Sequence, residues 1–183
     1  FRPSAVMVKA QTKSEVQSAA APNTALRYDS YDLIPGKPVL DKYPAVHANE
    51  EECDTLVLHC SDMASGMEYD LYYSVMRELP AICRRTVIRN KTKADAHILR
   101  AYSASVDFTT VDPDAQLLHL WGTWGRERHA ERTPLCHGSV SVSSRRGASS
   151  HHHNPFAALV TSETTEEHGM AFGISLVYSG NFD

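Results

Sequence analysis

The sequence predicts an all-β protein, a large antiparallel β-sandwich (supersandwich) with little helix. Short apolar segments alternate with polar residues at a period of two, the spacing that turns one face of a strand toward a core. Turn residues interrupt these segments, and no stretch between them repeats its apolar residues at the helical period. A parallel α/β fold needs crossover connections of about a dozen residues, for which the chain has no room. Antiparallel sheets packed as a sandwich therefore fit the pattern.

The first part of the chain consists of short extended pieces. Apolar residues 5–8, followed by polar residues 9–13, predict a strand and a turn. Prolines recur between residues 23 and 48 and exclude long helices there, because proline lacks the amide hydrogen that a helix requires. The three successive glutamates at 50–52 predict a solvated bend.

The middle of the chain predicts three consecutive strands. Residues 55–59 form a compact apolar segment, and the apolar residues from Met67 to Val75 fall on alternate positions. Gly66 separates the two segments, which indicates a β-hairpin with a longer loop. Residues 82–89 predict the third strand, and the polar residues 90–93 the turn that follows it.

Two further alternating segments lie in the second half. Residues 98–108 predict one long strand, although Arg100 interrupts its apolar face. Residues 172–178 alternate in the same manner. Neither an internal repeat nor a low-complexity linker divides the chain, so we expect one β-sandwich domain over residues 1–183.

The composition excludes several classes of partner. A net charge of −4 and a pI near 6.2 provide no basic surface for nucleic acid. No apolar run approaches the roughly 20 residues that span a bilayer, and no signal peptide is visible, so we expect no membrane association. The four cysteines lack motif spacing and are interpreted as free thiols, which favours the cytoplasm. Because the chain opens at Phe1 rather than methionine, we expect a fragment of a longer protein.

A polar segment at residues 144–156 contains the densest group of reactive side chains. His151 to His153 suggest a metal site, but neighbouring residues of a strand point apart and the spacing matches no zinc motif. Ser149 and Ser150 lack the surroundings of a nucleophile elbow. The carboxylate pairs Asp112 with Asp114 and Glu166 with Glu167 flank turns, a position typical of solvated surface residues. We therefore expect no metal, no cofactor and no catalytic residue in this chain.

Two tryptophans are candidates for sugar binding. An exposed indole ring can stack on the C–H face of a pyranose, and Trp121 and Trp124 are the candidates for this role. The alternative is that both are core residues, which the high average burial of tryptophan favours. The cluster Arg126, Glu127 and Arg128 either fixes the tryptophan loop through Arg–carboxylate pairs or forms a solvated face.

The chain resembles the amino-terminal domain of the family 36 glycoside hydrolases, the α-galactosidases, over most of its length. The order and spacing of the matching motifs carry this resemblance. The motifs are IPGKP at 34–38, SASVDF at 103–108, GTWGRERH at 122–129, SRRGASSHHHNPF at 144–156, TTEEHG at 164–169 and YSGNF at 178–182.

The resemblance implies a function for a longer parent protein. Its sandwich would precede a (β/α)8 barrel holding the catalytic aspartates, and the enzyme would hydrolyse melibiose- or raffinose-type α-galactosides with retention. The 183 residues alone would then be inactive, because the barrel is missing. The resemblance further implies α-galactoside oligosaccharides and the barrel as partners, and a homotetramer as the full enzyme. A non-catalytic carbohydrate-binding module, an α-N-acetylgalactosaminidase and a galactosyl transferase remain alternatives.

The resemblance also assigns roles to individual residues. Trp124 would contribute to the substrate pocket, with Arg126 and Glu127 holding its loop. The segment 144–156 would buttress that loop or the barrel interface, and its supporting residues would be Arg146, His151 and Asn154. Two residues depart from the family pattern, Trp121 at a position of small residues and His152 at a glutamine position.

Overall fold

The computed structural model describes residues 6–10, 25–102, 104–108, 112–147, 152–177 and 180–183. Within these ranges the chain contains ten β-strands and no helix, which confirms the predicted all-β fold. No helix in this part of the chain has the length and apolar character needed to cross a membrane. The strands are β1 (Val6–Ala10), β2 (Arg27–Pro35), β3 (Cys53–Asp62), β4 (Met67–Met76), β5 (Ile82–Asn90), β6 (Ala96–Ala101), β7 (Gln116–Thr123), β8 (Arg126–Pro134), β9 (His153–Val160) and β10 (Ala171–Ser175).

The chain folds as two compact units. The first comprises Phe1–Val39 and Val46–Asp107, and the second Leu40–Ala45 and Phe108–Asp183. Each unit contains one four-stranded antiparallel sheet, and β1 and β6 add a two-stranded antiparallel sheet to the first. The assignment of all 183 residues to one domain stays a prediction.

The first unit contains the three strands predicted around residues 55–59, 67–75 and 82–89, as β3, β4 and β5. Its sheet has the order β2-β3-β4-β5, so successive strands pair as antiparallel neighbours. Gly66, at φ 68°, closes the predicted β3–β4 hairpin, and its amide donates to the Asp62 carbonyl at 2.8 Å. One face of the sheet forms the core through Cys60, Met67, Tyr69 and Leu71.

Two predicted strands extend too far. Strand β6 ends at Ala101 rather than residue 108, and the described residues 102 and 104–108 are not in a strand. Strand β10 ends at Ser175, although the amide of Leu176 still donates to the Pro155 carbonyl at 2.9 Å. Tyr178, at the end of that predicted strand, lies outside the described residues.

The second unit contains a sheet of order β10-β9-β7-β8. Strand β8 was not predicted from the sequence, because its residues are mostly polar and exposed. Among the described residues it pairs with β7 alone. Its hairpin with β7 carries the Trp124 motif, so this pair of strands positions the candidate site.

Candidate functional site

The β7–β8 hairpin presents Trp124 at its tip. Thr123 pairs with Arg126, so that Trp124 and Gly125 form a two-residue loop. Gly125 adopts φ 74°, a conformation that glycine reaches without steric cost. The Trp124 side chain is 87% exposed, so Trp124 is not a core residue of this chain.

Gly122 allows the two strands to approach each other directly below this loop. A Cβ atom at residue 122 would lie 2.3 Å from the Arg126 carbonyl oxygen and 2.8 Å from the Glu127 Cα. Both neighbours are backbone atoms, which cannot rotate away as a side chain can. The first glycine of the motif is therefore required by the close passage of β8.

A β-bulge in strand β8 lies opposite Gly122. Trp121 pairs with His129 and Thr123 with Arg126, so the register shifts by one residue between the two pairs. Arg128 adopts φ 60° within this bulge, in the left-handed region that residues other than glycine seldom occupy. The extra residue reverses the alternation of side chains along β8.

Two hydrogen bonds hold the residues that follow Trp124. The Gly125 amide donates to Glu127 Oε1 at 2.9 Å, which ties the loop backbone to the second residue of β8. Arg126 Nε donates to His129 Nε2 at 3.0 Å. Among the described residues no salt bridge joins Glu127 to Arg126 or to Arg128, which are the Arg–carboxylate pairs considered from the sequence.

Trp121 differs from Trp124 in its surroundings. Its side chain is half-buried on strand β7, and its ring centroid lies 5.8 Å from that of His129, directly opposite. The two tryptophans of the motif region therefore have separate roles in the fold, Trp121 packing within the sheet and Trp124 facing solvent.

The polar segment 144–156 is only partly a loop. Ser144 forms an isolated bridge with Phe182, and the Gly147 amide donates to Asn181 Oδ1 at 2.7 Å. The His152 carbonyl accepts a hydrogen bond from the Gly122 amide at 3.1 Å, which joins this segment to the Trp124 hairpin.

The supporting residues predicted in this segment lie in different environments. Arg146 is exposed, and His151 lies outside the described residues. Asn154 is half-buried in β9, and its Nδ2 atom has no hydrogen-bond partner. Neither Arg146 nor Asn154 has a described contact with Trp124.

Asn154 and Pro155 lie inside strand β9 rather than in a turn. The pairing of β7 with β9 shifts register between His119 and Trp121, so the residues around Pro155 lie in a bulge. A bulge accommodates proline, because a residue within a bulge need not donate an amide hydrogen to the neighbouring strand.

The described residues include no group of three or more histidine, cysteine, aspartate or glutamate side chains arranged to hold a metal ion. The chemistry that the hairpin supports is binding. An exposed indole ring provides a flat apolar surface, and the neighbouring polar groups are occupied in holding the hairpin together.

A second polar cluster, absent from the sequence-based prediction, lies on the sheet of the first unit. His59 Nδ1 lies 2.8 Å from Asp70 Oδ1, and His59 Nε2 lies 3.0 Å from Asp32 Oδ2. Both hydrogen bonds raise the pKa of His59, and the bond to Asp70 contributes more than the bond to Asp32. Burial acts to raise the pKa of Asp70, but hydrogen bonds from His59 and Arg89 outweigh it and lower the pKa. The sequence contained one signal for this cluster, the polar residues His59 and Asp70 within strands β3 and β4.

A comparison with models of known protein families assigns the chain to a family. The model of the glycosyl hydrolase family 36 N-terminal domain matches residues 9–183. The chain belongs to glycoside hydrolase family 36. The resemblance inferred from the sequence motifs is thereby confirmed, and the Trp124 hairpin is part of a family 36 N-terminal domain.

Curated relatives of this family 36 domain are α-galactosidases. α-Galactosidase AgaA of Geobacillus stearothermophilus is 42% identical over 183 residues, which are 100% of this chain and 24% of the relative. The bifunctional α-galactosidase/sucrose kinase AgaSK of Mediterraneibacter gnavus is 40% identical over 157 residues, 86% of this chain and 17% of the relative. The family 36 domain thus spans about a quarter or less of the length of these relatives.

Solved structures share the fold of the family 36 domain. α-Galactosidase AgaB of Geobacillus stearothermophilus has a TM-score of 0.86 and 40% identity, covering 99% of this chain and 24% of its own. The α-galactosidase of Lactobacillus brevis has a TM-score of 0.84 and 35% identity, covering 99% and 23%. Variants of AgaA have been crystallised in complex with raffinose and with stachyose.

Proposed function

We propose that the chain is the N-terminal domain of a retaining α-galactosidase that hydrolyses terminal α-galactosides of the melibiose and raffinose type. In this proposal the domain supports the catalytic (β/α)8 barrel of the parent enzyme and contributes Trp124 to the wall of the substrate pocket. The observation that carries the second part is the 87% exposure of Trp124 at the tip of a hairpin whose backbone is fixed on both sides.

The catalytic carboxylates belong to the barrel in this proposal. A retaining glycosidase uses a nucleophilic carboxylate and an acid/base carboxyl group about 5 to 5.5 Å apart. The residues 1–183 contribute neither group, and the reaction requires no cofactor. Residues 1–183 are proposed as one β-sandwich domain whose partners are the barrel and the galactoside.

The role proposed for Trp124 follows from the chemistry of its ring. A galactose ring presents a face of C–H groups, and an indole ring that covers it removes apolar surface from water. The relatives that contain raffinose and stachyose support an oligosaccharide as the substrate class. Arg126 and Glu127 hold the loop, and the segment 144–156, with Arg146, His151 and Asn154, supports the hairpin or the barrel interface.

Two properties of the parent enzyme complete the proposal. We infer a homotetramer, in line with the family resemblance. We also infer a cytoplasmic location, which is supported by four free cysteines, all within the described residues. Free thiols persist in a reducing compartment. Light scattering of the parent protein and cell fractionation test these two inferences.

The test of pocket function is kinetic analysis of the parent enzyme with Trp124→Ala. Loss of a stacking contact of about 1.4 kcal/mol lowers kcat/KM for raffinose about tenfold. Trp124→Phe should retain most of the activity, since it keeps a ring. Met63→Ala is the matched control, because Met63 is 80% exposed in the β3–β4 turn of the other unit. Equal kinetics for Trp124→Ala and wild type contradict the pocket role.

A carbohydrate-binding module is the competing function, favoured by the same exposed Trp124. It requires residues 1–183 to bind raffinose by themselves, whereas the pocket proposal expects no measurable affinity without the barrel. Calorimetry on the isolated domain separates the two. Turnover of an aryl α-galactoside by the isolated domain would contradict both. Product analysis of the parent enzyme distinguishes hydrolysis of galactosides from α-N-acetylgalactosaminidase activity and from galactosyl transfer to sucrose.

A further inference from the structure

We propose that His129 is a positioning residue that sets the orientation of Trp124 by holding Arg126. This inference rests on the proposed substrate-binding role of Trp124. Neither the family motif nor the predicted supporting residues give His129 a function, and the Arg126 Nε to His129 Nε2 bond of 3.0 Å is what draws attention to it.

The bulge in β8 is what makes this bond geometrically accessible. Residues three apart on a regular strand project from opposite faces of the sheet. Arg126 and His129 pair with Thr123 and Trp121, which are two residues apart on β7 and therefore share a face. The extra residue of the bulge, with Arg128 at φ 60°, thus brings Arg126 and His129 to the same side.

Arg126 is held at two points as a result. Its carbonyl passes over Gly122, where a Cβ would approach to 2.3 Å, and its side chain is bound by His129. Arg126 also pairs with Thr123, and these two residues flank the Trp124-Gly125 loop. Fixing Arg126 therefore fixes one of the two anchors from which the exposed indole projects.

His129 is itself held in place. Its half-buried ring lies opposite Trp121, with the ring centroids 5.8 Å apart. The Nε–H group of arginine can only donate, so Nε2 of His129 is the acceptor and a neutral ring carries its proton on Nδ1. His129 thus joins a packed position inside the sheet to a side chain at the exposed end of the hairpin.

The consequence for the enzyme is an effect on substrate binding rather than on the chemical step. Without the acceptor, the Arg126 side chain is released and the tip of the hairpin samples more orientations. Ordering the tip then costs free energy when substrate binds. KM should rise while kcat stays near the wild-type value, because the catalytic carboxylates are proposed to lie in the barrel.

The test uses two complementary substitutions in the full-length parent enzyme with raffinose as substrate. His129→Phe keeps a flat ring beside Trp121 but removes the acceptor, whereas His129→Gln keeps an acceptor at a similar reach. We expect His129→Phe to raise KM about fivefold with kcat within about twofold of wild type, and His129→Gln to restore KM to within about twofold. His168→Ala, which removes a hydrogen bond to Thr165 in the β9–β10 connection, is the matched control.

Non-additivity connects the effect to Trp124. In a Trp124→Ala background, His129→Phe should add no further increase in KM, because the ring that it orients is absent. Additive effects, or an unchanged KM in His129→Phe while Trp124→Ala raises it, would overturn the role of His129. An unchanged KM in Trp124→Ala would instead overturn the proposed pocket function.

Amide hydrogen exchange across residues 122–129 of the parent protein gives a readout independent of catalysis. Faster exchange in His129→Phe, reversed in His129→Gln, is expected. Exchange equal to wild type in His129→Phe contradicts the inference whatever the kinetics show. Arg126→Ala, at an exposed position, supplies the same comparison if His129→Phe does not fold.

Discussion

The imidazole of His59 and the carboxylate of Asp70 form a hydrogen bond directly across the β3–β4 pair, with 2.8 Å between Nδ1 and Oδ1. Asp70 is 4% exposed and also forms an ion pair with Arg89, whereas Asp32, the second partner of His59, lies on the edge strand β2. His59 therefore connects a carboxylate of the edge strand β2 to a carboxylate of the inner strand β4.

We expect the protection of β3 and β4 from amide exchange to fall on both sides of a mildly acidic range. The raised pKa of His59 adds stability that is complete below about pH 6.5, the unfolded value, and is lost as pH rises through the folded pKa. The lowered pKa of Asp70 adds stability above about pH 4 that is lost as pH falls through the folded pKa. Exchange corrected for intrinsic rates, from about pH 2 to about pH 9 in the parent protein, measures both changes.

The control for this pH profile is His59→Asn, which keeps a polar group and removes the titration. Its protection should be independent of pH above about pH 6, where wild type loses protection. A wild-type profile that rises from pH 6 to pH 9, or an identical profile in His59→Asn, contradicts the assignment.

Thr55→Val should destabilise the first unit by about 2 kcal/mol. Thr55 is fully buried, and its hydroxyl donates to the Gly36 carbonyl at 2.6 Å and lies 2.7 Å from the Ser74 hydroxyl. Valine fills the same volume but leaves both buried partners without a hydrogen bond. Hydrogen exchange of β3 and β4 in the parent protein measures the loss, and Thr55→Ser should retain most of the protection. Equal protection in the valine and serine variants would argue against the hydrogen bonds.

Gly122→Ala should destabilise the β7–β8 hairpin by about 2 kcal/mol or more, because the added methyl group overlaps backbone atoms of β8. Exchange across β7 and β8 and the KM for raffinose should both increase. Gly173→Ala is the matched control in the same sheet, since its Cβ would meet only the Phe156 ring, at 3.5 Å. Exchange and KM equal to wild type in both alanine variants would rule out the close approach of β8 to residue 122.

Arg128→Gly should leave the hairpin as stable as wild type or stabilise it by up to about 1 kcal/mol. Arg128 adopts φ 60°, which costs an L-residue about 1 to 2 kcal/mol and glycine almost nothing. Ala130→Gly, on the same exposed edge strand, lacks this relief and should cost about 1 kcal/mol. Protection of the β8 amides from hydrogen exchange in the parent protein measures both effects. An equal loss of protection in the two variants excludes strain at residue 128.

The sequence predicted strands where apolar and polar residues alternate, and it missed a strand that lacks this alternation. The alternation from Met67 to Val75 identified β4 because that strand packs against a core. Strand β8 has no such alternation, because most of its residues are polar. Strand β6 was predicted too long, since the length of a ladder depends on a partner distant in the sequence.

The sequence by itself determined the all-β fold, the β3–β4 hairpin and the family, because local periodicity, turn residues and ordered motifs indicate them. Only the tertiary structure decided that Trp124 is exposed, that Arg126 binds His129, and that His59 lies between Asp32 and Asp70. The physical reason is register. Bulges in β8 and β9 and the pairing of distant strands set which side chains share a face, and a shift of one residue reverses that choice.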